Sequence, residues 1–356
     1  MRLSRWIGAA VATVLTVQFA AAAEISPALK DVVEKAKQEG KLVLQWPESL
    51  AGGAAARDIA KAMNATYGTN IAVTYTPDNS SIPQHINKLM VTQQSGQPAP
   101  TDAFVGTTGH VLLLTQRQAV VPVAWNELLP GRVDGRIVEA DNHAVRLFTT
   151  LPGGIIYNTQ LVPKKPTKLS DLLEPAFKGK IATNPYAASF ELLSGSDVWG
   201  EERALEFARA LSKQVSGIMG CPEIERIASG EFVAFAMDCS GRTWVKFKRA
   251  GAPVDMAVPT DFAAQRYYYM MIPKNAAHPN AAKLYVAFML TPEGQRLMWN
   301  SDDTDLHLFP DSGMAKAVAD YEKQGVKFRE FTADWARQHP ETGPAQVKAI
   351  QIVTQR

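Results

Sequence analysis

The chain has 356 residues, 46% apolar and 20% charged, with 37 Lys and Arg against 35 Asp and Glu. That length is too great for one ordinary hydrophobic core and sufficient for two. The composition excludes a disordered chain and a membrane bundle, and the near-neutral balance gives no reason to expect nucleic acid or a charged bilayer as partner.

Arg2 and Arg5 precede an apolar run at 7–19, and Ala21, Ala22 and Ala23 follow it. This is the pattern of a secretory leader cleaved before Glu24, so residues 1–23 are expected to be a signal peptide. The apolar run is alanine-rich and short for a bilayer, with no stop-transfer pattern after it. No cysteine stands near the cleavage point, so a lipid anchor is not indicated. Losing 1–23 removes two arginines and no acid, which leaves 35 basic against 35 acidic residues.

Residues 31–39 read as a helix ended by Gly40, and Lys41–Trp46 as a strand. Ile59, Met63 and Tyr67 at i, i+4 spacing mark 54–67 as a helix. Residues 71–75 read as a strand, 83–94 as a helix with Ile86, Leu89 and Met90 inward, 102–105 as a strand and 110–118 as a helix. Strands alternating with helices predict a parallel sheet, whose ligands sit beyond the carboxyl ends of the strands.

Leu151-Pro152-Gly153-Gly154 is a breaker cluster, and the β-prone run 155–157 ends at Asn158-Thr159. Pro163 and Pro166 hold the next segment extended. Ser170 is expected to cap a short helix at 171–173, with Asp171 at its positive end. Gly179 closes that segment before a strand at 180–183. Helices follow at 189–193, at 201–211 with Leu205, Ala208 and Leu211 inward, and at 224–228. Residues 232–237 read as a strand, and 254–258 lead back through Pro259. A strand at 267–272 and a helix at 281–289 follow, and Thr291-Pro292 caps and starts another helix. In the polar tail, 315–323 and 334–338 read as helices.

Two of these stretches carry a family resemblance. GGIIYNTQLV at 153–162, with LSDLLEP at 169–175 and KGKIA at 178–182, resembles the linker and second-lobe opening of type II periplasmic solute-binding proteins. MMIPKNAAHPNAAKLYVAFMLTPEGQRLM at 270–298 resembles the strand and helices with which these proteins return to their first lobe. The resemblance covers about residues 41–299 and is nearest to binders of ferric ion, thiamine, polyamines and aminoalkylphosphonates of ABC importers. It implies an α/β fold of two lobes, each a mostly parallel sheet flanked by helices, with the ligand cleft between them. Residues 24–150 with 262–300 are expected to form the first lobe, and 151–261 with 301–356 the second. It implies a monomeric periplasmic receptor that hands a small solute to an ABC permease, with no cofactor.

The candidate ligand residues lie in strand-end loops: Trp46 and Ser49, Asn79, Thr107 and Thr108, Asn184 and Ser189, Asp238 and Arg242, and Arg266 with Tyr268 on the return. Backbone N–H groups at helix starts seat anions, and Ser189, Asn184 and Thr107 each lead into a helix. The iron-binding relatives hold the ion with an adjacent tyrosine pair shortly after the strand equivalent to 232–237. This chain reads Asp238-Cys239-Ser240-Gly241-Arg242 there, with no tyrosine, and no metal site is expected. Arg242 and Arg266 point instead to an organic anion such as a phosphonate, phosphate ester or carboxylate, which arginine grips bidentately. A ferric, polyamine or thiamine receptor of the same fold is the alternative. A secreted enzyme on this scaffold and a sensory module are rivals from other classes. For the enzyme no G-x-S-x-G, P-loop, G-x-G-x-x-G or H-E-x-x-H is present. The run Asp302-Asp303-Thr304-Asp305 lacks the glycine and distal glutamate of a calcium loop and reads as a solvated turn. Cys221 and Cys239, an even number in an exported chain, are expected to be bonded.

Overall fold

A computed structural model of the protein describes residues 25–48, 50–78 and 82–355. The expected leader, Ser49 and Asn79 lie outside the described residues. The chain begins with α1 (Pro27–Glu39), β1 (Lys41–Trp46), α2 (Gly53–Tyr67), β2 (Ala72–Pro77), α3 (Ile82–Gln94), β3 (Phe104–Thr107), α4 (Thr108–Gln116), β4 (Val120–Val121), α5 (Trp125–Leu128) and β5 (Val145–Thr150). After 151–154 come β6 (Ile155–Asn158), β7 (Ile181–Thr183), α6 (Phe190–Leu193), α7 (Glu201–Ser212), β8 (Val215–Ile218), α8 (Glu225–Ala228), β9 (Ala234–Ala236), α9 (Val245–Arg249) and β10 (Val254–Ala257). The return is β11 (Ala264–Pro273), followed by α10 (Pro279–Met289), α11 (Pro292–Asp302), α12 (Gly313–Lys323), β12 (Arg329–Phe331), α13 (Ala333–Gln338) and α14 (Thr342–Thr354).

Side-chain hydrogen bonds shift several expected boundaries. Ser26 accepts from the Leu29 N–H, so α1 starts at Pro27 rather than at 31. The carboxylate of Asp102 accepts from the N–H groups of Val43 and His278, at 2.7 and 2.9 Å, so β3 starts at Phe104 rather than at 102. Ser170 caps nothing. The turn is a 3₁₀ helix, Leu169–Leu173, because Asp171 reaches back to the N–H groups of Thr167 and Lys168, at 2.7 and 3.1 Å.

Two sheets result. In the first, β1 and β2 are parallel, a Leu44–Ala103 bridge joins β1 to the approach to β3, and β11 lies between β3 and β5, antiparallel to both. In the second the order is β10-β6-β9-β7-β8. There β6 is antiparallel to β10 and β9, while β7 is parallel to β8 and β9. The antiparallel strands have a common cause. β6 follows the outgoing crossing at 151–154 and β11 the return, so both run away from the junction that most other strands run toward; β12, parallel to β11, is the exception. The strands that lead into helices therefore aim their carboxyl ends at one place.

Each sheet has its own core. Leu42, Leu44, Val105, Val111, Met270, Ile272 and Leu284 belong to the first. In the second sheet successive residues alternate between two buried clusters: Ile155 and Tyr157 on one face with Ala234 and Ala236, Ile156 on the other with Phe235 and Met256. Strands buried on both faces read as continuous apolar runs, which is why these were visible in the sequence. The tail packs on both cores, not on the second alone. α13 lies on α4 and places Ala333 in the first core, whereas α14 packs on α6 and α7 and places Ala349 and Val353 in the second.

Cys221 and Cys239 form a disulfide with a Cα–Cα distance of 5.9 Å. Closing its loop stabilises by roughly 3 kcal/mol in the chain-entropy model. It ties the loop after β8 to the loop after β9. Among the described residues no helix is long and apolar enough to cross a membrane.

Candidate functional site

The site is built where the strand ends meet. On β11, Arg266 and Tyr268 alternate with buried Tyr267 and Tyr269, so the first two share a face. Tyr268 lies opposite Thr107 of β3 and beside Phe148 of β5, with the two rings stacked at 4.8 Å. β3 runs directly into α4, and the Thr107 N–H donates to His110 Nδ1 at 3.0 Å. That fixes the neutral ring with its proton on Nε2. Burial, followed by the charge of Arg266, pushes the His110 pKa down to about 4, so the imidazole stays neutral at neutral pH.

The second sheet answers with two loops. After β7, Ala187 (φ 46°) and Ser189 (φ 72°) both sit in the left-handed region, and after β9 so does Met237 (φ 60°). Three non-glycine residues there mark loops held in shape by their surroundings. Asn184 and Asp238 do the holding. The Asn184 amide donates to the Met237 carbonyl at 2.8 Å, and its oxygen accepts from Tyr186 and Ala188 N–H at 3.1 and 2.9 Å. The buried Asp238 carboxylate accepts from Ser240 N–H at 3.1 Å and from Gly241 N–H, in spite of a pKa that burial raises.

Arg266 joins the halves. One terminal nitrogen donates to Glu191 Oε1 at 3.0 Å and the other to the Cys239 carbonyl at 3.3 Å. Arg266 and Glu191 side chains are 12% and 19% exposed, so the pair is crowded yet within reach of solvent. Burial pushes the Glu191 carboxyl up, and Arg266 offsets only part of this. Three buried polar atoms here have no hydrogen-bond partner among the described residues: Arg266 Nε, Glu191 Oε2 and Ser189 Oγ. Orphaned buried polar atoms are uncommon and call for a ligand or water.

The other candidates fall elsewhere. Trp46 is buried in the first core, 5.7 Å from the Tyr75 ring and 6.4 Å from that of Tyr285. Thr108 is buried at the start of α4, close to Tyr269. Arg242 is engaged: its Nε donates to the Asp303 carbonyl at 3.1 Å, and its guanidinium lies 4.9 Å over the Trp299 ring. Arg249 grips the side-chain carboxylate of Asp303 at 2.9 and 2.5 Å. Ser189 starts α6 but makes no side-chain cap. Sequence reasoning passed over His110 and Glu191. The signal available for Glu191 was an acid two residues beyond a strand-end serine.

Tyr267 and Tyr269 occupy the opposite face of β11. Arg146 lies 4.4 Å over the Tyr267 ring and 3.6 Å from Glu139. Burial pushes both phenol pKa values well above the ordinary range. Among the described residues, no group of three or more His, Cys, Asp and Glu side chains is placed to hold a metal ion.

Two mixed sheets joined by crossing segments, with strand ends and a buried ion pair at the junction, define a two-lobed binding protein. The family model for bacterial extracellular solute-binding proteins matches residues 135–339, over half of the chain, and the chain belongs to that family. An uncharacterized protein of Haemophilus influenzae is 30% identical over 152 residues, which are 40% of this chain and 42% of that protein. The match thus spans less than half the length of this curated relative. The periplasmic binding protein AfuA of Actinobacillus pleuropneumoniae, solved with fructose-6-phosphate, superposes with a TM-score of 0.60 at 20% identity, over 75% of this chain and 84% of its own. The apo ferric ion-binding protein A of Pasteurella haemolytica superposes with a TM-score of 0.68 at 12% identity, over 89% and 99%. At these identities the likeness is one of fold, that of the type II periplasmic binding proteins.

Proposed function

We propose that this protein is the periplasmic receptor of an ABC importer and that it captures a small organic anion between its lobes for delivery to the permease. The leader expected at 1–23 would send it to the periplasm. The lobes would comprise about 24–150 with 262–300, and 151–261 with 301–356, from which α13 reaches across to the first core, acting as a monomer. The observation that carries the anion reading is Arg266, an almost buried guanidinium whose Nε has no partner among the described residues. His110, neutral and under the charge of Arg266, keeps an Nε2 proton to donate, and the buried Ser189 hydroxyl has no partner among the described residues. Differential contact of one ligand with both lobes is what stabilises a closed state. AfuA, solved with fructose-6-phosphate, supports phosphate esters as the first class to test.

The test is thermal unfolding of the mature chain with phosphate esters, phosphonates, carboxylates, spermidine, thiamine and ferric ion. A ligand at 100 times its Kd adds about 2.7 kcal/mol of stability. At least one anion is expected to raise the melting temperature, and Arg266→Gln to abolish the shift. A shift given by spermidine, thiamine or ferric ion alone would replace the anion reading.

A further inference from the structure

The contact that fills Arg266 in this structure comes from the chain itself. Glu191 is a carboxylate, the same chemical group that an organic acid would bring, and it meets one guanidinium nitrogen at 3.0 Å while the Cys239 carbonyl takes the other. Its hold is incomplete. Glu191 Oε1 is used, while Glu191 Oε2 and Arg266 Nε are buried with no hydrogen-bond partner among the described residues. A guanidinium can offer a carboxylate or phosphate two parallel N–H groups, and this pair engages one. Glu191 sits on α6, a single turn of four residues entered through Ala187 and Ser189, both at positive φ. Burial pushes the Glu191 carboxyl up, and Arg266 together with the backbone N–H groups of Glu191 and Ser189 offsets only part of this.

We infer that Glu191 is a resident stand-in for the solute: its carboxylate occupies the anion seat on Arg266 in the empty receptor, and the solute's anionic group enters by displacing it. This rests on the anion reading of the site given above. The exchange balances charge at the junction, since one anion leaves the guanidinium as another arrives. A ligand with more oxygens than a singly engaged carboxylate also reaches the idle Nε and the Ser189 hydroxyl. A cation gains nothing, because it would leave Arg266 and Glu191 paired and find a donor-rich surface. The opposite arrangement has Glu191 staying in place to accept a hydrogen bond from the solute, and it makes the reverse prediction for the same variant.

Calorimetric titrations of the mature wild type, Glu191→Gln and Arg266→Gln with fructose 6-phosphate, glycerol 3-phosphate, citrate and inorganic phosphate decide between them. If Glu191 competes, Glu191→Gln binds at least one probe ten-fold or more tighter than wild type, and Arg266→Gln loses it. Unchanged or weaker binding by Glu191→Gln, with the wild type binding, overturns the inference and leaves the anion site standing. Absence of binding to any probe by both wild type and Glu191→Gln overturns the site reading and the inference together. Should Glu191→Gln fail to fold, the ¹³C resonance of the Glu191 carboxyl in the wild type serves instead. It is expected to move on saturation with the tightest probe, and a resonance that stays in place contradicts displacement.

Discussion

Arg242 and Arg266 look alike in the sequence: each follows a strand-end segment and each could meet an anion. What separates them is a partner far along the chain. Asp303, 61 residues beyond Arg242, takes that side chain, whereas Arg266 meets a crowded carboxylate that leaves its Nε idle. Spacing cannot show which charge is already spent. The neighbouring Asp302 shows the same dependence on context. Its Oδ2 is buried without a hydrogen-bond partner among the described residues, and burial pushes its pKa up to about 6. The unfolded carboxyl titrates near 4. A raised folded pKa means the fold prefers the protonated acid, so this group's contribution is full below about pH 4 and is lost as the pH rises through 6. Asp302→Asn is therefore expected to raise stability at pH 7 by about 1–3 kcal/mol and to flatten the profile between pH 4 and 6. Matching melting temperatures for the two proteins from pH 4 to 7 would contradict this.

At the scale of elements, the crossing segments were the most legible part of the chain, because proline and glycine leave few alternatives. Gly153 shows how closely they approach. Its φ is 84°, and a Cβ there would stand 2.5 Å from Phe262 Cε1 on the returning segment. Gly153→Ala combines overpacking with a strained backbone and should cost about 1–3 kcal/mol. It should appear as a lower denaturant midpoint with unchanged slope; an unchanged midpoint would mean the crossings are not packed as described. β5 was illegible for the converse reason. Arg146, Thr149 and Thr150 break its apolar pattern, yet all six of its residues are buried, since polar partners at Glu330 on β12 and at His307 cover them. α14 was missed because its stripe of Ala345, Ala349 and Val353, at i, i+4 spacing, is small and buries little area per turn.

For the whole molecule, the α/β class and the two-sheet plan were legible from alternating elements and from the two family-like stretches. The strand directions were not. β6 runs against both its neighbours, and β11 against β3, β4 and β5, because each starts at the junction, a consequence of the chain's route and not of any residue in them. The site was half legible for a related reason. Strand-end loops are where such folds place ligands, but Asn184 and Asp238 brace those loops, and the groups left open among the described residues are on Ser189, Glu191 and Arg266. The most direct test of the account is a crystal structure of the mature protein with the solute that stabilises it most. The account predicts density for the anionic group on the Arg266 guanidinium, between Thr107–His110 and the 187–191 turn, with the Glu191 carboxylate moved off. Solute density at Arg242, or at Tyr267 and Tyr269 on the far face of β11, with the Arg266–Glu191 pair intact, would contradict it.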